Sequence, residues 1–328
     1  MSNFGTFTGS EFLTKELPRR EWLIENLLKE RDALLWVGQE KSGKTVLNFQ
    51  AALCCLTTAH PFLDHFNIPQ PRKVTYILLE GDLEESMDRV KRLAKSIDID
   101  PNKFVFMFLP RLQLHKKEGQ YGLWAMVKAI KQFDCHEVVV IDPLYRSFSG
   151  SMSADEVTRE VCANFDELKD ALNCALIVIH HTHKKKFDIK GNAIKEGDDA
   201  TFGSVWFKAW ASQIVLQTYD QQTGLRSFYC TTQRSGDIIK ECNLRLVQPD
   251  PLYFEIDKNE RVVGKELLIM ELLQADTNTG LSAEEIYTKL GISKGTFYTS
   301  IKQPLAQGVI RKISDERPVK YCLVKKGS

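Results

Sequence analysis

Gly38-Gln-Glu-Lys41-Ser42-Gly43-Lys44-Thr45 carries the clearest chemical signal in the chain. Glycines at both ends of such a stretch let the backbone wrap tightly, so that successive N–H groups converge on an anion. A helix beginning at the last of them adds the positive end of its dipole. Lys44 then supplies a mobile cation for the β and γ phosphates of a nucleotide, and the Thr45 hydroxyl suits Mg²⁺. Gly38, Lys41, Ser42, Gly43, Lys44 and Thr45 are therefore the candidate nucleotide ligands, with ATP and Mg²⁺ as the implied cofactors. The competing reading is a glycine turn before an ordinary helix.

Carboxylates at two strand ends extend the pattern. Val138-Val-Val-Ile141-Asp142 is an apolar run closing on an acid, which could orient a magnesium-bound water; an Asp before Pro143 can also simply open a loop. Glu80 follows the apolar run Val74–Leu79, where a carboxylate can polarise the water that attacks a γ-phosphate. Asp82 is its close rival, and a solvated loop charge is the plain alternative. His180-His181-Thr182-His183 follows another apolar run. These histidines could be a metal set, although no cysteine or spaced carboxylate accompanies them.

These residues need elements to hold them at one edge. The runs 33–37, 74–79, 104–108, 138–141, 176–179 and 214–216 are apolar on both faces, as buried parallel strands are. Helical patterns such as 46–56 and 85–96 fall between them, which predicts a doubly wound α/β domain. Runs 227–232, 244–247 and 252–256 lack intervening helices and read as antiparallel strands on one edge. The stretch Glu11–Arg31 reads as partly helical, with Phe12, Leu13, Trp22, Leu23, Leu27 and Leu28 available to dock on the core. Beyond the polar stretch 257–261 come a helix over 264–273, a second capped by Ser282 with Glu285, a third from Ser293 to about residue 307, and strands over 309–313 and 320–324. Three helices and a β-hairpin in that order predict a winged helix-turn-helix. The expected division is 1–31 as a docking segment, 32–260 as the catalytic domain and 261–328 as the winged helix.

Composition excludes several classes. The chain has 328 residues, 43% apolar and 27% charged, which suits a folded protein with a sizeable core and not a disordered or collagen-like one. No apolar stretch is long enough to span a bilayer, and residues 1–10 lack signal-peptide order. The eight cysteines form no CxxC pair, so neither a zinc site nor a disulfide framework is expected and the reading is cytoplasmic. With 44 basic and 43 acidic residues the net charge is +1, which excludes a basic coat protein but leaves local basic patches open.

The phosphate loop, Glu80-Gly-Asp82, Asp142-Pro-Leu, His180-His-Thr-His-Lys184 and Phe202-Gly-Ser204, in this order, resemble the RecA-fold ATPases of the RepA type. Those are plasmid and phage replicative helicases related to the DnaB core, and the likeness covers roughly residues 22–256. Arg89 also matches an arginine that commonly follows the glutamate. The resemblance implies a RecA-like P-loop NTPase core, ATP hydrolysis at subunit interfaces of a ring, usually a hexamer, with Glu80 as catalytic base. Asp142 would hold the metal through water, and His180 or His181 would sense the γ-phosphate. The sequence departs from the pattern twice. Phe202 stands where an arginine often precedes Gly-Ser. Thr232-Gln-Arg234-Ser-Gly236 lacks the lysine of a Lys-x-Arg-x-Gly pattern, leaving Arg234 as the candidate arginine finger, with Lys208 second.

Two basic regions are candidates for DNA. Lys184, Lys185, Lys186, Lys190 and Lys195 fall where RecA-type rings line their channel, and lysines there would neutralise phosphates without reading bases. A second loop, 146–155, could also face that channel. From Val262 to Ser328 there are ten basic and seven acidic residues, and Lys294, Lys302 and Arg317 are candidate duplex contacts. Each region has a plainer reading, a solvated loop and a protein-binding module. The sequence thus points to an ATP-driven DNA motor, with an ATP-switched DNA-binding or assembly factor as the alternative. A small-molecule kinase is a weaker third.

Overall fold

A strand apolar at every position must be covered on both faces, and β3 (Ala33–Gly38) is buried along its whole length. The computed structural model describes residues 8–16, 19–147, 155–181, 205–220, 224–234, 236, 239, 241–257, 269–270, 272–274, 280–306, 308–313 and 318–324. The chain divides into two compact units, Met1–Asp257 and Lys258–Ser328.

In the first unit β3 lies inside a nine-stranded sheet. Its companions are β4 (Val74–Leu78), β5 (Phe104–Phe108), β6 (Val138–Asp142), β7 (Ala175–His181), β8 (Gln213–Tyr219), β9 (Arg226–Gln233), β10 (Cys242–Val247) and β11 (Tyr253–Ile256). The order is β11-β10-β9-β8-β3-β7-β6-β4-β5. Strands β8 through β5 in that order run parallel, and β8 to β11 alternate in direction. The order places β7 between β3 and β6, so the carboxyl ends of β3, β7, β6 and β4 share one edge.

Side-chain alternation divides the core into two layers. Trp36, Tyr76, Val140 and Ile177 face one cluster, and Val37, Ile77, Val139 and Val178 face the other. The first layer is covered by α2 (Lys44–Phe49), which runs on through a π-helical stretch, Gln50–Cys55, into α3 (Leu56–Thr58), and by α4 (Leu83–Ala94). The second is covered by α5 (Leu123–Lys131), α6 (Asp155–Leu172) and α7 (Val205–Trp210). All six residues of the π-helical stretch are buried. Burial pushes the Cys54 thiol up to about 12 and raises that of Cys55 too. No helix among the described residues is long and apolar enough to cross a membrane.

The N-terminal stretch is partly helical: among its described residues α1 (Gly9–Thr14) is the helix, but Leu13 on it is 85% exposed and does not dock. The Phe12 side chain lies outside the described residues. Trp22–Ile24 (β1) and Leu28–Lys29 (β2) form an antiparallel hairpin instead, which buries Leu23, Leu27 and Leu28. Asn26, with φ at 60°, supplies the left-handed residue the tight turn needs.

The second unit contains β12 (Leu281–Ser282), α8 (Ala283–Lys289), α9 (Lys294–Ser300), α10 (Lys302–Ala306), β13 (Ile310–Lys312) and β14 (Lys320–Leu323), with strand order β12-β14-β13. Ser282 and Glu285 form a full capping box. The single helix expected from Ser293 to about 307 is two helices separated at Ile301. Pro304, which has no N–H to donate, falls in the first turn of the second, where none is required. Phe297, Ile301, Ile310 and Tyr321 form its core. Most of the helix expected over 264–273 lies outside the described residues.

One polar side chain fastens the edge of the large sheet to the helix behind the phosphate loop. Gln50 Nε2 donates to the Phe254 carbonyl at 2.8 Å, and the Phe254 N–H donates to Gln50 Oε1 at 2.7 Å. Replacing Gln50 by Met keeps the volume but leaves both backbone groups buried and unpaired. The expected loss is about 1–3 kcal/mol, and for Phe254→Ala about 3–5 kcal/mol. Urea unfolding measures both, and a Gln50→Met midpoint equal to the native one would show that the amide pair contributes nothing.

Candidate nucleotide-binding site

Strand β3 delivers the phosphate loop at the carboxyl edge of the sheet. Two glycines there are geometrically required. A Cβ on Gly38 would lie 2.5 Å from the Gln217 carbonyl oxygen of neighbouring β8. Gly43 has φ at 89°, and a Cβ on it would lie 2.6 Å from the Phe254 ring. Lys41, also left-handed at φ 65°, is exposed at the loop tip, whereas Ser42 is fully buried. The Ser42 hydroxyl donates to the Gln39 carbonyl at 2.8 Å and closes the turn.

Gln217 fixes the loop from beneath. The Trp36 indole N–H donates to Gln217 Oε1 at 2.9 Å, and Gln217 Nε2 donates to the Ser42 carbonyl at 2.7 Å. This buried amide marks itself in the sequence only as a polar residue directly after the apolar run 214–216, and it was not among the candidates.

Lys44 opens α2 and is 4% exposed. Its ammonium donates to the carbonyls of Gly38 at 2.8 Å and Gln39 at 2.6 Å. Burial pulls its pKa down to about 8, against the opposing pull of Asp142, Glu40 and Glu80. The lysine is therefore still a cation at neutral pH, held over the loop that must meet phosphate.

Asp142 ends β6 and is 2% exposed. The Tyr76 hydroxyl donates to its Oδ2 at 2.6 Å. Burial pushes the carboxyl up to about 6, while the Tyr76 and Thr45 hydroxyls and Lys44 pull the other way. Thr45 and Asp142 thus form a pair of hard oxygen donors at the mouth of the loop, which fits Mg²⁺ in chemistry and position. Tyr76 aims the carboxylate, and burial followed by the Asp142 charge raises its own phenol, so it remains a donor.

Glu80 lies two residues beyond β4, the strand beside β6. Its Oε2 accepts from the Tyr145 hydroxyl and, at 3.2 Å, from Arg146 Nε. Its Oε1 is 3.8 Å from His181 Nε2. Burial and the Lys44 charge lower the His181 pKa, which favours the neutral ring. Asp82, the rival carboxylate, is instead the cap of α4 and accepts from the Glu85 N–H at 2.9 Å. Arg89 pairs with Glu85 on the same helix and stays off the cluster.

The two adjacent histidines separate, as alternation along a strand demands. His181 joins Glu80 and Tyr145, while His180 is buried on the other face with its ring 5.8 Å from that of Phe207. A metal pair built from both is ruled out by that geometry, and His183 lies outside the described residues. Of the two histidines expected near the γ-phosphate, His181 is the one beside Glu80.

Arg234 sits at the opposite edge of the sheet. It follows Gln233, which pairs with Gln213 at the start of β8, about 13 Å of strand from Gln217 at the phosphate-loop end. Its guanidinium bonds to the Ala209 carbonyl on the helix that also carries Lys208. Arg234 therefore does not join the cluster around Lys44 in its own chain. Lys184, Lys185, Lys186, Lys190, Lys195, Phe202 and Arg317 lie outside the described residues. In the second unit, Lys294, Tyr298 and Lys302 are exposed while Phe297 and Ile301 are buried.

Gln217→Leu leaves every phosphate-loop residue in place but removes the amide that holds the Ser42 carbonyl. The loop then has to be ordered by the nucleotide itself, which lowers affinity about tenfold for a cost near 1.4 kcal/mol. Titration with a fluorescent ATP analogue reads the change, and an unaltered Kd would show that the loop holds its shape without Gln217.

No curated protein matches the chain. The family described as AAA domain matches residues 3–186, a span that contains the phosphate loop, Glu80, Asp142 and His181. That match extends over more than half the chain, and its phosphate loop, metal-type carboxylate and strand-end glutamate stand at one edge of a largely parallel sheet: the chain belongs to the AAA-domain family of P-loop ATPases.

Proposed function

We propose that this chain is a RecA-like, ring-forming ATPase that moves on DNA, of the replicative-helicase kind. The observation that carries the reading is the convergence at one sheet edge of Lys44, the Thr45–Asp142 pair and Glu80, each on a different strand end or on the helix that follows one. Ligands of open α/β sheets bind at that edge. The phosphate-loop N–H groups and Lys44 bind and orient the β and γ phosphates. Thr45 and Asp142 would hold Mg²⁺, which would supply charge neutralisation during phosphoryl transfer. Glu80 takes a proton from a water placed in line with the γ-phosphorus. The new bond joins that water oxygen to phosphorus, the bond to the β–γ bridging oxygen breaks, and ADP leaves with that oxygen's electron pair.

Developing charge needs a further cation. Arg234 stands at the far edge of its own sheet, so as a finger it would serve a neighbouring copy, which favours a ring, with a hexamer as the expected size. The described elements of the second unit, with strand order β12-β14-β13, support the expected winged helix, and Lys294, Tyr298 and Lys302 are exposed on α9 and α10. These would face duplex DNA. The lysines at 184–195 are candidates for single-stranded DNA on sequence grounds alone.

A second reading is an ATP-switched DNA-binding or assembly factor without unwinding. It is favoured by the hold of Ala209 on Arg234 and by the missing lysine at Thr232. ATP turnover with and without single-stranded DNA separates the two. A motor should be stimulated and should displace strands; a switch should turn over slowly, ignore DNA and assemble when ATP is added. Lys44→Ala should abolish nucleotide binding, and Glu80→Gln should keep binding while lowering kcat by about 10²–10⁴. Intact turnover in Lys44→Ala would end the phosphate-loop argument. Mixing Arg234→Ala with Glu80→Gln subunits should restore activity if the arginine acts across subunits, and an absence of rescue at every ratio counts against it.

A further inference from the structure

The loop after β5 and the helix that follows it gather charge that the near-neutral total of the chain conceals. Between Arg111 and Lys131 there are five basic residues and one acidic one, Glu118, whereas the whole chain has a net charge of +1. The same span holds two large aromatics, Tyr121 and Trp124, each 39% exposed. Helix α5 explains where they stand. Leu123, Met126, Val127 and Ile130 are its buried face, which leaves Trp124, Lys128 and Lys131 together on the solvent face at helical spacing. Tyr121 comes three residues before Trp124, just ahead of the helix.

The loop is built onto that helix. The Leu123 and Trp124 N–H groups donate to the carbonyls of Lys116 at 2.9 Å and Lys117 at 3.1 Å, and the Gln113 N–H donates to the Tyr121 carbonyl at 2.8 Å. N–H groups of the first helical turn, which have no partner within the helix, thus draw Lys116 and Lys117 to the start of α5. Gly122 permits the fold-back, since a Cβ on it would lie 2.5 Å from the Glu118 carbonyl oxygen. Arg111 Nη1 donates to the Tyr121 hydroxyl at 3.5 Å. Lys117 is taken by Glu167, whereas Lys116, Lys128 and Lys131 stay exposed. The far end of the loop is fixed too. The Leu109 N–H donates to the Leu78 carbonyl at 2.9 Å, and the Leu114 N–H donates to the Ser147 carbonyl at 2.5 Å.

We propose that Tyr121 and Trp124, with Arg111, Lys116, Lys128 and Lys131, form a binding surface for single-stranded nucleic acid, separate from the lysines at 184–195 and from the second unit. Unpaired bases expose π faces that stack on aromatic rings, and the phosphates between them attract cations without regard to sequence. Aromatics and cations interleaved on one face match both needs. A protein partner would suit the tryptophan and the tyrosine but not the lysines, which are depleted from protein interfaces. A duplex keeps its base faces stacked, so the rings would gain nothing from it. The surface shares with the proposed function the class of partner but not the site. Binding there requires neither Glu80 nor turnover, so it would serve a motor and a switch alike.

The test uses the full chain and a fluorescein-labelled oligothymidylate, with binding followed by anisotropy between about 50 and 200 mM salt. Trp124→Ala should weaken binding roughly 5- to 150-fold, the worth of one stacked base, and leave the dependence on salt unchanged. Trp124→Phe, which keeps a ring, should retain most of the affinity. Lys128→Gln and Lys131→Gln combined in one chain should instead flatten the slope of log affinity against log salt by about 1.4, the share of two phosphates on a single strand. Oligothymidylate should also quench the tryptophan emission of the native protein more than that of Trp124→Phe. Melting temperatures equal to the native one would separate these effects from a loss of structure. Native affinity in Trp124→Ala, or a native salt slope in the double lysine variant, would overturn the surface. So would a duplex of the same length that binds as tightly and suffers the same loss in Trp124→Ala. Anionic phospholipid vesicles held through Trp124, with oligothymidylate binding indifferent to that residue, would assign the face to a membrane instead. A native protein that binds no oligothymidylate would sink nucleic acid as a partner altogether, whereas native binding that none of these variants alters would sink this surface alone.

Discussion

The Asp142 carboxylate is 2% exposed at the end of a strand whose other residues are apolar. A charge so placed is costly unless donors surround it. Much of the catalytic edge can be understood as the supply of those donors. Tyr76 comes from β4 because β4 is the neighbour of β6, and Thr45 comes from the phosphate loop because only β7 intervenes between β6 and β3. Lys44 lies close enough for its charge to favour the ionised acid, and Asp142 in turn helps keep Lys44 charged against its own burial. Strand order, loop shape and the ionisation of both groups are thus one problem with one solution.

The same edge shows how backbone alternation distributes chemistry. Adjacent residues of β7 send one imidazole to Glu80 and the other to Phe207, so two like residues in sequence serve a reactive cluster and a packing layer. At the start of α4 helix capping, not alternation, divides two acids. Asp82 is consumed by capping the helix, which leaves Glu80 as the acid that faces the site.

Legibility from sequence followed the physics of each element. The phosphate loop was readable because close approach and φ above zero admit only glycine at Gly43. The central strands were readable because burial on both faces leaves unbroken apolar runs. The N-terminal hairpin was not, since its strands are only three and two residues long and show no period. The side chains that shape the site, Gln217, Gln50, Tyr76 and Tyr145, escaped for another reason. A polar group in an apolar segment reads as a weak position in the pattern, and its partners lie as far as 204 residues away. Long-range hydrogen bonds leave no local spacing to detect. Arg234 was found through a spacing, but only the sheet register shows that it stands at the far edge from its own phosphate loop.

The π-helical stretch behind the phosphate loop has a consequence for how the molecule meets oxidants and alkylating reagents. Such reagents attack thiolates. Cys54 and Cys55 are fully buried there, and burial holds their thiols neutral, as it does for Cys162 and Cys174 at about 12. These sulfurs behave as small hydrocarbons for as long as the two layers stay closed on the sheet. Their consumption by a reagent would therefore clock the opening of the core beneath the nucleotide loop, a chemical timer that the protein already carries.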